Sequence, residues 1–187
     1  MSFPILQTNR LLLREIVPAD APALLAIHGD AELMRWFGSD PLPDQAAAEA
    51  LVARFASWRQ LPAPGTRFGL ARRERPQHLI GTAGLFGWNP GWRKCTLGYE
   101  LAREAQGQGL MREALLTLLD WGFAAMSLNR IEAQVHPDNA ASLKQVRALG
   151  FVEEGRLRQV GFWRGQYQDL LQFGLLKADW DALQLRA

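Results

Sequence analysis

The sequence predicts a mixed sheet of the α/β class with helices on both of its faces. Short helices come early in the chain, a run of strands follows, and strand, helix, strand, helix and strand alternate after it. A chain of 187 residues, of which 48% are hydrophobic, can bury the core that such a sheet needs. We therefore expect a single domain that spans residues 1–187.

The first half of the chain contains the early helices and a strand hairpin. The charged segment over 72–77 joins two apolar segments and is typical of a hairpin turn. The predicted elements are a strand over 11–16, helices over 20–27 and 45–58, and strands over 67–71 and 79–86.

The second half alternates strands with helices. In the strand over 96–101, Leu97, Tyr99 and Leu101 point to one face, while Gly98 and Glu100 point to the other. An amphipathic pattern predicts the helix that follows this strand. The elements are this helix over 111–126, a strand over 130–135, a helix over 139–149 that Gly150 stops, and strands over 151–161 and 166–176.

A glycine-rich turn separates the strand over 96–101 from the long helix. The turn consists of Gln106, Gly107, Gln108 and Gly109, and the helix begins directly after it. In such a turn, successive backbone N–H groups and the positive end of the helix bind phosphate oxygens without a charged side chain. A phosphorylated ligand is therefore the first hypothesis that the sequence raises.

Two other phosphate-binding patterns do not fit this segment. A P-loop requires a glycine, four further residues and then Gly-Lys-Ser or Gly-Lys-Thr, and the chain has no such run. A dinucleotide fold requires a third glycine where Arg112 stands, and its turn follows the first strand of the domain. An ordinary tight turn that binds nothing is the alternative that stays open.

The segment resembles the pyrophosphate loop of the GNAT acetyltransferases, in which Gln or Arg is followed by two residues, Gly, one residue, and Gly or Ala. Gln106 and Gly109 match this pattern, whereas Met111 departs from it. Residues 111–114 are a methionine, a polar residue and Glu-Ala, and they resemble the same segment in the RimJ and RimL branch of the family. The resemblance covers nearly the whole chain, with further matches at 8–14, 19–21, 30–35, 81–85, 136–142, 149–151, 153–155, and at Gly165 with Asp169.

This resemblance implies the GNAT fold, a mostly antiparallel sheet in which two central strands part. It implies that acetyl-CoA, the acetyl donor, lies in the gap, with its pantetheine amides on the free strand edge and its pyrophosphate on the backbone of 107–112. Gln106 is expected to shape that loop. The implied acetyl-CoA residues are Tyr99, Glu100, Leu101, Gln106, Gly107, Gln108, Gly109, Leu110, Met111, Arg112, Asn139 and Ser142.

Asn139 and Ser142 lie at the start of the helix over 139–149. Because Asn is a preferred N-cap, Asn139 is expected to cap this helix, and by resemblance it also contacts the CoA arm. The resemblance places Ser142 near the thioester, where its hydroxyl gives a proton to the departing thiolate; a plain surface serine is the alternative. Many relatives use a tyrosine where this chain has Val146, so Ser142 is the better candidate acid.

The sequence does not identify the general base. A base must lie within hydrogen-bond reach of the attacking amine, directly or through one water. Some relatives use a glutamate at the position of Gln134, which cannot act as a base. Glu100, Glu132 and His136 are the other candidates, with a solvated or ion-paired role as the alternative for each. Glu100 is taken as the catalytic candidate beside Ser142.

The resemblance implies an acetyl-CoA-dependent N-acetyltransferase that acts on a primary amine. The favoured acceptor is a protein N-terminal α-amine, which attacks the acetyl group directly in a ternary complex. An α-amine, with a pKa of about 7.7 to 8.0, needs less help from a base than lysine does. The alternatives are a small amine (an amino acid, a polyamine or an aminoglycoside), a non-catalytic CoA-binding sensor, and a partner-binding domain without acyl-CoA.

Composition bears on the remaining classes. The 21 basic and 19 acidic residues are too balanced to indicate nucleic-acid binding, and no apolar run approaches the ~20 residues that span a membrane. The single cysteine, Cys95, excludes an intramolecular disulfide and is expected to be buried and structural, in an intracellular, cytoplasmic protein. The histidines lack metal-ligand spacing, so we expect no metal. A monomer or a homodimer is expected.

Overall fold

The computed structural model of the chain describes residues 3–58 and 65–185. Strands and helices alternate irregularly in the first half and regularly in the second. In chain order the elements are β1 (Leu6–Gln7), β2 (Leu11–Glu15), α1 (Ala21–His28), α2 (Gln45–Ser57), β3 (Thr66–Arg72), β4 (Arg75–Asn89), β5 (Lys94–Leu101), α3 (Leu110–Ala125), β6 (Arg130–Val135), α4 (Ala140–Ala148), β7 (Val152–Trp163), β8 (Gln166–Leu176) and α5 (Lys177–Gln184).

The eight strands form one mixed sheet in the order β1-β2-β3-β4-β5-β6-β8-β7. Every neighbouring pair is antiparallel except β5 and β6, which run parallel. A parallel pair needs a crossover connection, and α3 supplies it. The mixed sheet that the sequence predicts is thereby confirmed.

The parallel pair stays together for only three residues. Lys94, Cys95 and Thr96 pair with Arg130, Ile131 and Glu132, and beyond them the two strands part. β5 continues to Leu101 on its other neighbour, β4, while β6 continues to Val135 on β8. The edge of β5 that faces the gap therefore has backbone groups without a strand partner, as the expected GNAT fold requires.

Helices cover both faces of the sheet, as two adjacent residues of β3 show. The ring of Phe68 packs edge-on against Trp121 of α3, with the ring centroids 5.3 Å apart. The guanidinium of Arg67 lies over Phe55 of α2, 5.4 Å from the ring centroid. Because neighbouring side chains of a strand point to opposite faces, α3 and α2 lie on opposite sides of the sheet.

Helix α3 carries the largest helical share of the core. Its buried residues recur at helical spacing, and Leu115, Leu118 and Leu119 are each completely buried. The helix begins after Gly109 and is the longest among the described residues, at 16 residues. No helix in residues 3–58 and 65–185 is both long and apolar enough to cross a membrane.

The predicted and observed elements differ mainly at exposed positions. The charged segment over 72–77 is not one long turn, since β4 already begins at Arg75. Residues 75–78 are exposed strand, and their sequence, Arg-Pro-Gln-His, is as polar as that of a turn. The short strand β1 and the terminal helix α5 were not predicted. Within α5 only Trp180 is buried, and the helix is eight residues long, so few apolar residues mark it in the sequence.

The core position of Leu118 generates a stability prediction. Replacing Leu118 by Ala leaves a cavity between α3 and the sheet, and we expect a loss of about 2–5 kcal/mol in the free energy of unfolding. Denaturant titration measures the loss. The matched control is Thr117→Ala, one residue earlier on the partly exposed side of α3, for which we expect a change within about 0.5 kcal/mol. Equal losses in both variants would contradict the assigned packing.

Candidate active site

The glycine turn between β5 and α3 has the backbone that its sequence predicts. Gly107 and Gly109 both have φ of 72°, a left-handed conformation that glycine adopts without steric cost. Gly109 occupies the N-cap position of α3, so no side chain caps the first N–H groups of this helix. Gln106 ties the turn to the end of β5, because its Nε2 donates to the Leu101 carbonyl at 2.9 Å.

Arg10, near the N-terminal end of the described chain, holds this turn in place. Arg10 Nη1 donates to the carbonyl of Gln108 at 2.9 Å, and Arg10 Nε donates to Glu113 of α3 at 2.6 Å. In a trans peptide the C=O and the following N–H point in opposite directions, so this contact turns the Gly109 N–H away from Arg10. Arg72 adds a second positive charge, with Nη2 2.6 Å from Gln108 Oε1. The turn thus carries oriented N–H groups in a positive environment, which suits an anion.

Glu113 holds Arg10 in position by accepting hydrogen bonds from its backbone N–H and its side chain. Burial raises the pKa of this carboxyl, but hydrogen bonds from Thr8 and from Arg10 lower it more strongly, so the pKa lies below its ordinary value. Glu113 is therefore a carboxylate near neutral pH. No local pattern indicates this contact, because Arg10 and Glu113 are 103 positions apart.

A pair of hydroxyl groups spans the gap between the parted strands. Tyr99 Oη of β5 and Ser142 Oγ of α4 lie 2.8 Å apart. Asn139 fixes the first turn of α4, since its Oδ1 accepts from the Ser142 N–H at 3.1 Å; this confirms the capping role expected for Asn139. Burial raises the pKa of Tyr99 to about 12, so its phenol is protonated at neutral pH.

The next residue of β5, Glu100, points to the opposite face of the sheet. Arg67 donates to Glu100 Oε2, and Thr82 donates to Glu100 Oε1. His28, the last residue of α1, places Nε2 3.0 Å from the same Oε1. Burial would raise the pKa of Glu100, but the charge of Arg67 and the hydrogen bonds from His28 and Thr82 hold it below its ordinary value. Glu100 is thus a buried carboxylate, where the sequence favoured the surface.

The other two base candidates are engaged elsewhere. Glu132 lies in the paired part of β6, where Lys94 Nζ and Arg130 Nε donate to it at 3.2 and 2.9 Å. His136 follows β6, and its Nδ1 accepts from the Asp138 N–H at 3.1 Å. Neutral His136 therefore carries its proton on Nε2, which lies 3.2 Å from Gln168 Oε1.

Two adjacent aromatic residues cover the α1 side of the gap. Trp36 stacks on His136 at the end of β6, with the ring centroids 4.0 Å apart. Phe37 packs edge-on against His28, with the centroids 5.2 Å apart. Trp163 of β7 holds this segment in place, because its Nε1 donates to the Arg35 carbonyl at 3.1 Å. The segment that follows α1 thus meets the hairpin of β7 and β8 near the gap. We expect the acceptor to enter there.

Cys95 lies on β5 before the gap and is only 1% exposed. Burial raises the pKa of its thiol to about 12, and the charge of Glu132 adds to this effect. The expectation of a buried cysteine is confirmed, and the protonated thiol is a poor nucleophile.

Comparison with known proteins gives the family to which this chain belongs. The family model described as "Acetyltransferase (GNAT) domain" matches residues 10–152. The chain is 34% identical over 175 residues to an uncharacterized N-acetyltransferase, YoaA, of Bacillus subtilis (strain 168), covering 94% of this chain and 98% of that protein. The chain belongs to the GNAT acetyltransferase family and is an acetyl-CoA-dependent N-acetyltransferase.

Two further similarities concern the acceptor. The chain is 28% identical over 182 residues to the [ribosomal protein uS5]-alanine N-acetyltransferase of Escherichia coli (strain K12), covering 94% of this chain and 92% of that protein. The structure of spermidine N-acetyltransferase from Vibrio cholerae in complex with CoA and spermine superposes with a TM-score of 0.80 at 25% identity. That superposition covers 92% of this chain and 99% of the other.

The glycine turn can be tested with a matched pair of substitutions. Gly107 and Gly165 have φ of 72° and 69°, and an added Cβ would meet no atom within 4 Å at either position. Ala therefore pays the same backbone strain, about 1–2 kcal/mol, in both variants. We expect Gly107→Ala to weaken CoA binding about tenfold or more in calorimetric titration, because the predicted pyrophosphate site requires a close approach to this backbone. Gly165→Ala should bind CoA as the unsubstituted chain does, and equal affinity in both variants would refute the assignment of the turn.

The burial of Cys95 gives a second prediction. A protonated thiol that is 1% exposed should react with Ellman's reagent only when the protein unfolds. We expect no thiol signal from the native protein at pH 8 and one equivalent after addition of denaturant. Rapid reaction of the folded protein with the reagent would show that Cys95, near the start of β5, is open to solvent.

Proposed function

We propose that this acetyltransferase modifies the N-terminal α-amine of a protein, by direct attack of the amine on acetyl-CoA in a ternary complex. The observation that carries the acetyl-CoA part of the proposal is the free edge of β5, and the choice of acceptor rests on similarity to other enzymes. The free edge leads to the glycine turn at one end, and the Tyr99 and Ser142 hydroxyl pair lies beside its middle. One extended ligand with phosphates at one end and a thioester at the other fits that order of groups.

The proposed path of acetyl-CoA follows this edge. The backbone of residues 107–112 takes the pyrophosphate, and Gln106 keeps the turn attached to β5. The pantetheine amides pair with the backbone of Tyr99, Glu100 and Leu101 as an added strand would. Asn139, which caps α4, lies on the other side of the arm.

Ser142 is the proposed acid for the departing thiolate. Since the phenol of Tyr99 is protonated at neutral pH, it can donate to Ser142 Oγ at 2.8 Å. That arrangement leaves the hydroxyl proton of Ser142 free for the sulfur. A thiol has a pKa of about 8.5, so the thiolate needs only modest help to leave.

Glu100 is proposed to stabilise the attacking amine. Its carboxylate lies on the opposite face of β5 from Tyr99 and stays charged because Arg67, Thr82 and His28 bond to it. A negative charge in this place stabilises the positive charge that forms on nitrogen as it attacks the acetyl carbon. The carboxylate oxygens already accept three hydrogen bonds, so the proton itself needs a further acceptor.

Two observations bear on the choice of acceptor. The similarity over 94% of the chain to an enzyme named for a ribosomal-protein alanine supports a protein N-terminus. An α-amine is also partly neutral at physiological pH, which suits a site with a weakly basic carboxylate. A polyamine is the second candidate, because the superposed Vibrio cholerae enzyme is named for spermidine.

An acceptor panel tests the proposal. Thiol release from acetyl-CoA is measured with peptides that begin with Ala or Ser, with the same peptides blocked at the N-terminus, and with spermidine, amino acids and aminoglycosides. The proposal predicts release with the free peptides and none with the blocked ones. Release with spermidine alone would replace the acceptor by a polyamine, and CoA binding without any release would favour a sensor.

Substitution of Ser142 tests the proposed acid. Ser142→Ala should lower kcat about tenfold, with KM for acetyl-CoA changed less than about twofold, because only the transition state loses a bond. The matched control is Ser57→Ala, an exposed serine at the end of α2, which should leave both constants unchanged. Unchanged turnover of Ser142→Ala would remove this residue from the mechanism.

A further inference from the structure

We propose that His28 is the general base of the reaction and that Glu100 acts by positioning its imidazole. This inference rests on the proposed function and adds a residue that the sequence did not single out. His28 is 3% exposed, closes helix α1 and lies on the face of the sheet where the acceptor is expected to enter.

The hydrogen bonds fix which nitrogen of His28 is available. Glu100 is a carboxylate and can only accept, so the contact of 3.0 Å requires a proton on His28 Nε2. Neutral His28 then carries a lone pair on Nδ1. Within residues 3–58 and 65–185, no group donates a hydrogen bond to this nitrogen. His136 shows the contrast, because its Nδ1 already accepts from the Asp138 N–H.

The surroundings of the pair favour a charged imidazole during the reaction. Glu100 faces His28 from β5, and Arg67 of β3 and Thr82 of β4 hold the other contacts of the carboxylate. Arg54 of α2 lies farther out beside Arg67, while Asp30, two residues after His28, is paired with Arg103 at 2.6 Å. When His28 takes a proton, the negative charge of Glu100 stabilises the imidazolium at hydrogen-bond distance, as a carboxylate does in a catalytic triad.

The fold places this base opposite the proposed acid. Tyr99 and Glu100 are consecutive residues of β5, so one side chain reaches Ser142 on one face and the other reaches His28 on the opposite face. The thioester proposed for the gap between β5 and β6 would thus have a proton donor on one side and a proton acceptor on the other. Phe37, packed on His28, limits water around the imidazole.

The proposed step is balanced in protons and electrons. The nitrogen lone pair of the neutral amine forms the C–N bond, and the nitrogen proton moves to His28 Nδ1. The C–S bond breaks with its electron pair on sulfur, which takes the proton of Ser142. The products are the acetylated amine and CoA thiol; solvent then removes the proton from His28 and returns one to Ser142.

The first test is the pH dependence of kcat/KM for an Ala-beginning peptide. In the unsubstituted enzyme both the amine and His28 must be deprotonated, so the acid limb of the logarithmic plot should approach a slope of two. In His28→Gln, whose amide still donates to Glu100, the slope should fall to one, and kcat should fall about 100-fold or more. KM for acetyl-CoA should change less than about twofold. The control is His78→Gln, an exposed histidine of β4, which should keep both the slope and kcat.

A second measurement needs no turnover. Long-range proton–nitrogen NMR of the three histidines reports the tautomer of each ring, and the His28 signals are identified by their loss in His28→Gln. The proposal requires a protonated Nε2 and an unprotonated Nδ1 on His28 at pH 8. A proton on Nδ1 would overturn it.

The outcomes separate this inference from the function on which it rests. If no amine of the panel is acetylated by the unsubstituted chain, the proposed function and the role of His28 both fail. If the peptide is acetylated and His28→Gln keeps the slope of two and the original kcat, only the role of His28 fails. Loss of activity with an unchanged slope would make His28 a structural residue and would also overturn the proposal.

Discussion

The early separation of β5 from β6 is the constraint on which the rest of this structure depends. Three residue pairs hold the two strands side by side, and then each strand follows its outer neighbour instead. β6 stays with β8 over six residue pairs, so the gap between β5 and β6 is a property of the sheet and not of a loose strand end. The free edge that results leads directly into the glycine turn. A ligand bound along this edge completes hydrogen bonds that the sheet leaves open.

Side chains from distant parts of the chain hold this gap in shape. Tyr99 and Ser142 bridge it on one face, while Trp36 and Phe37 cover it on the other by packing against His136 and His28. Arg10, in the turn between β1 and β2, holds the glycine turn by its hydrogen bond to the Gln108 carbonyl. Because these contacts come from separate elements, they fix the relative positions of the strands and helices around the gap.

The sequence predicted local features well and long-range contacts poorly. The bounds of β6 and β8 and the face of Tyr99 follow from periodicity and turn residues over a few positions, and the start of α3 is predicted to within one residue. The exposed end of β4 and the short, mostly polar helix α5 contain few apolar residues, so that signal is weak in both. The contacts of Glu100 with Arg67 and His28 join residues 33 and 72 positions apart, and no local pattern encodes them. Glu100 therefore resembled a surface residue in the sequence, because the residues that bond to its buried carboxylate are distant along the chain.

A crystal structure of the chain with CoA is the most direct test of the central claim that the gap between β5 and β6 holds the acyl carrier. The account predicts the pantetheine arm along the free edge of β5 at residues 97–101 and the pyrophosphate on the N–H groups of residues 107–112. The thiol should lie beside the Tyr99 and Ser142 hydroxyl pair. CoA bound on another surface, or β5 and β6 paired over their whole length, would contradict the account.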